Sequence, residues 1–395
     1  MNRISIITLF LFLATVESAQ AQPDLLWKSQ FGGDHFDRAN AVEQTSDGGF
    51  ILTGTTASTG AGLFDLWLIR TDGDGTVLWE RTYGGPLRER GAAVHQTGDG
   101  GYIVAGDTRS FGAGGGDAWL LRTDASGDTL WTKTYGGGEP EYIESMQITS
   151  DGGYILAGAT ESSGSGDEEL LLIRTDADGD TVWTRVYESE GGGMGESVQQ
   201  TVDGGFIVAG STNAEMETCD IWLLKTDVVG DTLWSRVFEH DPLAWPESIQ
   251  QTSEGGYVLT GWIFPPGEEK TDLLIIKVDP EGGTIWRRTF GESEGEEGGN
   301  SVLQTEDGGF LIAGCSRIQE SANRDIWLVK TYPDGELMWT LTIPGTYPED
   351  GGLSLIRAHE GGYALCSPGW FYQRSREEDA FLIRLGPEIP PAFPG

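Results

Sequence analysis

Few residues in this 395-residue chain carry specific chemistry. Its four histidines, His35, His95, His240 and His359, share no spacing, so no metal-ligand or nucleophile motif forms around them. Its three cysteines, Cys219, Cys315 and Cys366, are an odd and sparse set, which excludes a disulfide framework. Cys315 and Cys366 fall on or just after apolar strands and read as small buried side chains, and Cys219 lies just before a strand. The triplet Asp176-Ala-Asp178-Gly-Asp180 has the alternation that starts a calcium loop, but residues 184–187 offer no distal acid to complete it. Related segments, Asp227-Val-Val-Gly and Asp279-Pro-Glu-Gly, keep only the turn residues, so a hairpin turn is the expected role. A structural calcium at Asp176, Asp178 and Asp180 is the one cofactor left open, and no catalytic residue is assigned. Paired carboxylates suited to glycoside hydrolysis abound among 62 acidic residues and therefore discriminate nothing.

Aromatic residues at expected connections are more informative. Trp245, Trp262, Trp370 and Tyr372, with His240 in the neighbouring segment 239–245, have the amphipathic or aromatic character of a carbohydrate- or protein-binding patch. What must position them is a repeat. Trp recurs at 27, 79, 131, 183, 234, 286 and 339, at intervals of 52, 52, 52, 51, 52 and 53. An acid-Gly-Gly-aromatic string begins at Asp47, Asp99, Asp151, Asp203, Glu254 and Asp307; the seventh copy begins at Glu360. An acid followed by an apolar run and a cation recurs at Asp65, Asp117, Glu169, Asp220, Asp272, Asp325 and Asp379. Seven ordered copies near 50 residues mean a repeat architecture.

Each copy reads as four strands, for example Leu78–Tyr83, Ala92–Thr97, Tyr102–Gly106 and Ala118–Thr123, rich in β-branched and aromatic residues and separated by Gly and Asp. Gly98-Asp99-Gly100-Gly101 supplies the φ > 0 of a tight reversal. Asp124-Ala125-Ser126-Gly127 fits a type I turn with a following bulge. The predicted fold is all-β: a seven-bladed β-propeller of four-stranded antiparallel blades over residues 22–386. The lone N-terminal strand Leu25–Phe31 is expected to complete a last blade made of Leu355–His359, Tyr363–Ser367 and Ala380–Leu385, which closes the ring and removes open edges. Trp67, Trp119, Leu171, Trp222, Leu274, Trp327 and Phe381 occupy one position of the strand that is apolar on both faces, and are expected between blades. The cations Arg70, Arg122, Arg174, Lys225, Lys277, Lys330 and Arg384 are expected to pair with turn or cross-strand carboxylates. The short uniform turns lie at one end of the ring. The longer connections, among them 84–91, 239–247, 262–271 and 367–378, lie at the other, where recognition is expected.

Residues 1–21 read as a secretory signal peptide, with Asn2 and Arg3, the apolar run Ile4–Val16 and a small-x-small cleavage pattern ending at Ala21. Export or a periplasmic location is expected. The apolar run is too short to span a bilayer, no later segment is apolar enough, and the Pro-rich residues 387–395 form a tail. The net charge of −37 argues against nucleic acid, whose binding needs phosphate neutralisation by Lys and Arg. It suits a soluble acidic surface. A monomer is expected.

The strings DGGYIVAG, GDAWLLRTD, GDTLW and TYGG resemble a repeat of secreted bacterial and archaeal propeller proteins, mostly of unknown function. The resemblance covers almost the whole chain after residue 21. It implies a WD40-like propeller and export, and brings no catalytic residue to carry over. Some members of that group are associated with endoglucanases, and some carry a C-terminal sorting domain that is not seen after Pro394-Gly395. The leading reading is therefore a non-catalytic module that binds glycan or protein through the loop-rich face. The alternatives are a polysaccharide-active hydrolase of endoglucanase type, or a purely structural envelope or matrix component.

Overall fold

In the computed structural model, every segment from residue 22 on is described except 164–166, 190, 213–218, 239–242, 268–269, 292–294, 318–323, 345–353, 368–378 and 389–395. The expected signal peptide lies outside the described residues. So do His240, Trp370, Tyr372 and most of the Pro-rich tail.

The described chain forms 28 strands in seven four-stranded antiparallel sheets, and no described residue is helical. β1 (Leu25–Phe31) stands alone at the start. Blade 1 follows as β2 (Asp37–Gln44), β3 (Phe50–Thr56), β4 (Asp65–Thr71) and β5 (Val77–Tyr83). Blade 2 is β6 (Glu89–Gln96), β7 (Tyr102–Thr108), β8 (Asp117–Thr123) and β9 (Thr129–Tyr135). Blade 3 is β10 (Glu141–Ile148), β11 (Tyr154–Thr160), β12 (Glu169–Thr175) and β13 (Thr181–Tyr187). Blade 4 is β14 (Gly193–Gln200), β15 (Phe206–Thr212), β16 (Asp220–Thr226) and β17 (Thr232–Val237). Blade 5 is β18 (Ala244–Gln251), β19 (Tyr257–Ile263), β20 (Asp272–Val278) and β21 (Thr284–Phe290). Blade 6 is β22 (Glu296–Gln304), β23 (Phe310–Arg317), β24 (Asp325–Thr331) and β25 (Leu337–Ile343). Blade 7 is β26 (Ser354–Arg357), β27 (Tyr363–Ser367) and β28 (Ala380–Leu385), completed by β1 in the order β1-β28-β27-β26. The first strands of consecutive blades contact one another, and β26 meets β2, so the ring closes as a seven-bladed propeller around a central channel.

The repeated motif residues make the contacts between blades. The outer-strand Trp of one blade packs edge-on against the aromatic of the next blade's Gly-Gly-aromatic string, as in Trp79 on Tyr102 at 5.8 Å and Trp183 on Phe206 at 5.9 Å. The tyrosine of the TYGG string bonds to the next blade's turn, Tyr135 Oη donating to the Gly179 carbonyl at 2.6 Å. Trp67, Trp119, Leu171, Trp222, Leu274 and Phe381 are buried, and Trp327 packs against the same core.

The cations also find the partners expected of them. Each pairs with the acid of its own blade's Gly-Gly turn: Arg70 with Asp47, Arg122 with Asp99, Arg174 with Asp151, Lys225 with Asp203, Lys277 with Glu254, Lys330 with Asp307, and Arg384 with Glu360. The Thr97 hydroxyl, the Gly101 N–H and Arg122 together hold the Asp99 carboxyl down to about 2.

The innermost strands have an exposed edge of backbone N–H groups, which the preceding blade must satisfy. Hydroxyl and amide side chains do so. Ser145, Ser197, Ser248 and Ser301 accept from Val198, Ile249, Val302 and Leu355, and Ser354 closes the circle by accepting from Val42. Gln147, Gln199 and Gln250 repeat the device one residue pair further on.

The sequence placed the inner strands too late. Ala92–Thr97 is the second half of β6, which begins at Glu89, and a β-bulge interrupts it between Gly91 and Ala93. The same bulge recurs in β2, β10, β14, β18 and β22. Segments expected to be connections therefore contain strand: Glu89–Gly91 in 84–91, and Ala244–Glu247 in 239–247. In the other direction, β26 ends at Arg357, and His359 lies in the turn that follows, its N–H bonded to Gln44.

Candidate functional site at the mouth of the channel

The bulges decide what faces the channel. Two positions recur in every bulged inner strand. The first holds Arg38, Arg90, Tyr142, Met194, Trp245 and Gly298; the bulged position itself holds Asn40, Ala92, Glu144, Glu196, Glu247 and Asn300. Neither shows the uniformity of the turn and core positions. Each bulge pushes a carbonyl against the glycine of the adjacent strand. A Cβ on Gly106 would sit 1.8 Å from the Arg90 carbonyl oxygen, and one on Gly54 or Gly158 would meet the Arg38 or Tyr142 oxygen at the same distance. That close approach is why the string reads YIVAG, with glycine last.

A cavity of about 370 Å³ opens on the loop-rich face above blades 1 to 4. Its walls include Arg38, Asn40, Arg88, Arg90, Arg109, Phe36, Phe64, Tyr142 and Glu168. Four of the chain's 25 basic side chains thus line the cavity, together with the acids Glu89, Asp107, Glu144 and Glu168. Their surroundings differ. Arg90 is held by Asp107 at 2.9 Å and by both oxygens of Glu144, at 2.6 and 2.8 Å. Arg88 lies over the Phe64 ring at 4.6 Å, and Phe64 meets Phe36 edge-on at 5.8 Å. Arg109 lines the same wall as Tyr142. Arg38 has neither an ion pair nor a hydrogen bond among the described residues, and its Nε is shielded from solvent. Burial, with Arg90 as a like-charged neighbour, pushes Arg38 down to about 10 against the pull of Glu144 and Glu247 nearby. Beside it, Asn40 donates to the Gly91 carbonyl at 2.7 Å and leaves its own Oδ1 buried and unpartnered.

Blades 4 and 5 supply a second cluster. Trp245 and Trp262, expected in connections, lie in β18 and β19 and face each other across the ladder, stacked at 6.1 Å with planes 5° apart. Carboxyls lie against them: Trp262 Nε1 donates to Glu247 at 3.2 Å, and Glu196 takes the bulged position of the neighbouring β14. Burial, with Glu144 as a like-charged neighbour, pushes Glu247 up to about 7 against the opposing pull of the Trp262 hydrogen bond and of Arg38. Burial beside Glu144 and Glu247 pushes Glu196 well up, and its Oε1 has no described partner. These residues belong to the strand ends that the sequence treated as connection. Their signal was the variability of two positions ahead of an otherwise regular strand.

The acidic triplet serves a turn. Asp176 Oδ1 accepts the N–H groups of Asp178 and Asp180 at 3.0 and 2.8 Å, as Asp124 Oδ1 does for Ser126 and Asp128, and Asp180 pairs with Lys133. Among the described residues, no three or more His, Cys, Asp and Glu side chains are grouped as a metal ion requires. His95 bridges three blades through Glu43 and the Met146 carbonyl, both at 3.0 Å. Cys219 and Cys366 are buried and Cys315 is half-buried; all three are free thiols. No described helix is long and apolar enough to cross a membrane.

No family model matches the chain, and no curated protein does. Solved structures do match in shape. The WD40 domain of Neurospora crassa Pan2 aligns over 96% of this chain and 99% of its own, with a TM-score of 0.57 at 10% identity. BBS1N, solved in complex with ARL6DN, aligns over 93% of this chain and 98% of its own, with a TM-score of 0.50 at 12% identity. A puromycin hydrolase aligns over 85% of this chain and 51% of its own, with a TM-score of 0.55 at 15% identity. At these identities the likeness is one of fold: this chain is a seven-bladed propeller with WD40-like neighbours.

Proposed function

We propose that the chain is an exported, non-catalytic binding module that engages glycan through the loop-rich face. The observation that carries this reading is the cavity at the channel mouth, where an unpartnered arginine, an unpartnered amide oxygen and three aromatic rings converge. Pockets with mostly apolar or aromatic walls and a few converging polar groups are the usual form of a ligand site. The WD40 neighbours support an interaction role, and the apolar run ahead of Ala21 supports export. A glycan array probed with the full chain, with and without calcium, tests the reading. Retention of saccharide by wild type and its loss on filling the cavity with Met194→Trp is the expected result. An empty array in both conditions refutes the glycan form.

One observation favours a hydrolase as the second reading. Two carboxyls lie close together, Glu247 pushed up by burial to about 7 and Glu196 raised in the same direction, as a general acid requires. Release of reducing ends from a polysaccharide, lost in Glu247→Gln, would establish it over the binding reading.

A further inference from the structure

The cavity carries more than a generic affinity, because its two orphaned groups have opposite demands. Arg38 has donors and no acceptor; Asn40 Oδ1 is an acceptor with no donor. They lie two residues apart on β2, on either side of Ala39, with Asn40 at the bulge itself. Leaving a buried polar atom unmet is costly, so a site retaining both is shaped for a ligand that brings an oxyanion and a hydrogen-bond donor side by side. A bare inorganic anion meets only the arginine and sets its own charge against the amide oxygen.

The electrostatics choose between the two common donors. The carboxylates on the wall are engaged: Glu144 and Asp107 on Arg90, and Glu89 on Thr108, Gly85 N–H and Ser110 N–H. Burial and the neighbours Glu161 and Glu144 raise Glu168. The wall's four acids balance its four arginines in number, so the choice is local: a donor on Asn40 Oδ1 lies next to the Arg38 guanidinium, which repels an ammonium and tolerates a hydroxyl. Phe36, Phe64 and Tyr142 provide aromatic faces for the C–H side of a sugar ring. We infer that this cavity binds a sugar carrying a single oxyanion, a uronate carboxylate or a sulfate ester, with the oxyanion on Arg38 and a ring hydroxyl on Asn40 Oδ1. The net charge of −37 restricts this to a terminal or isolated acidic unit, since a polyanionic chain would be repelled by the rest of the surface. The inference rests on the binding role proposed above and names its ligand class.

Calorimetric titration of the full chain with glucuronate, glucose, galactose 6-sulfate, galactose, inorganic sulfate and glycine provides the test. At least one acidic sugar is expected to bind ten-fold or more tighter than its neutral parent, and sulfate and glycine to bind more weakly than that sugar. The uronate and sulfate-ester arms identify which oxyanion is carried. Arg38→Gln should erase the acidic preference, and Arg38→Lys should restore part of it as a point charge without the planar fork. Binding of the neutral parent sugar at wild-type strength by Arg38→Gln, with a cooperative melt, separates a lost acidic preference from a lost fold. Equal binding of acidic and neutral sugars, or an acidic preference that survives Arg38→Gln, overturns the inference and leaves the binding module standing. Tighter binding of sulfate or glycine than of any acidic sugar overturns it likewise. Absence of any saccharide binding, neutral or acidic, overturns both.

Discussion

The bulge that shapes the site can be attacked through one hydrogen atom. In Gly106→Ala the new Cβ would lie 1.8 Å from the Arg90 carbonyl oxygen, 2.8 Å from its carbon and 3.1 Å from Gly91 Cα. All three neighbours are backbone, so no side chain can rotate away. Restoring even a 3.0 Å contact requires β6 to retreat about 1.2 Å from β7, the difference between 3.0 and 1.8 Å. Forced overpacking of this kind costs about 1–3 kcal/mol. The retreat also breaks one or two ladder hydrogen bonds at about 1 kcal/mol each. Against that, alanine restricts the unfolded chain and returns about 0.4–1 kcal/mol. The net expectation is a loss of about 3 kcal/mol. Urea unfolding followed by tryptophan fluorescence measures it, with Gly98→Ala as the control, since nothing lies within 4 Å of a Cβ there and its φ is not in the left-handed region. The control should be neutral or slightly stabilising. A Gly106→Ala loss below about 1 kcal/mol would mean that the bulge is not what demands glycine.

Further outcomes follow from the same contacts. Glu247 is raised to about 7 by burial, so its contribution is fully present below the unfolded value near 4.5 and is lost as pH rises towards 7. Glu247→Gln keeps an acceptor for Trp262 and should be more stable than wild type by about 2 kcal/mol at pH 8 and indistinguishable from it near pH 4, by thermal melts at both pH values. The turn aspartates shift the other way: Asp99, held down to about 2, contributes above its unfolded value and loses that contribution as pH falls through 2. Asp99 is largely exposed, so its clamp is worth about 1 kcal/mol or less, and Asp99→Asn should flatten only slightly the fall in melting temperature between pH 4 and 2. Ser354→Ala leaves the Val42 N–H without its hydroxyl acceptor across the closure between blades 7 and 1, and should cost about 1 kcal/mol in urea unfolding.

The sequence determined the ring and its closure. Trp, Gly-Gly and the strand-ending cation each recur because each makes one contact per blade: Trp79 on Tyr102, the positive φ of Gly100, Arg122 on Asp99. A contact repeated seven times leaves seven copies of its residue, and copies are visible without coordinates. The strand Leu25–Phe31 joining β28 was legible for the same reason, since a Trp strand at one end was missing from the other. The site was not legible, because its residues are the ones that do not repeat. Arg38, Arg90, Tyr142, Met194 and Trp245 share one structural position yet range from cation to aromatic to thioether. The bulge that turns them to the channel breaks the alternation by which a strand is recognised, so these stretches read as connection. The bulge in β2 sets Arg38 beside Asn40, and only the closed ring brings Arg90, Tyr142 and Met194 of the following blades around them, so that an arginine two residues from an asparagine becomes an unmet donor and an unmet acceptor in one cavity.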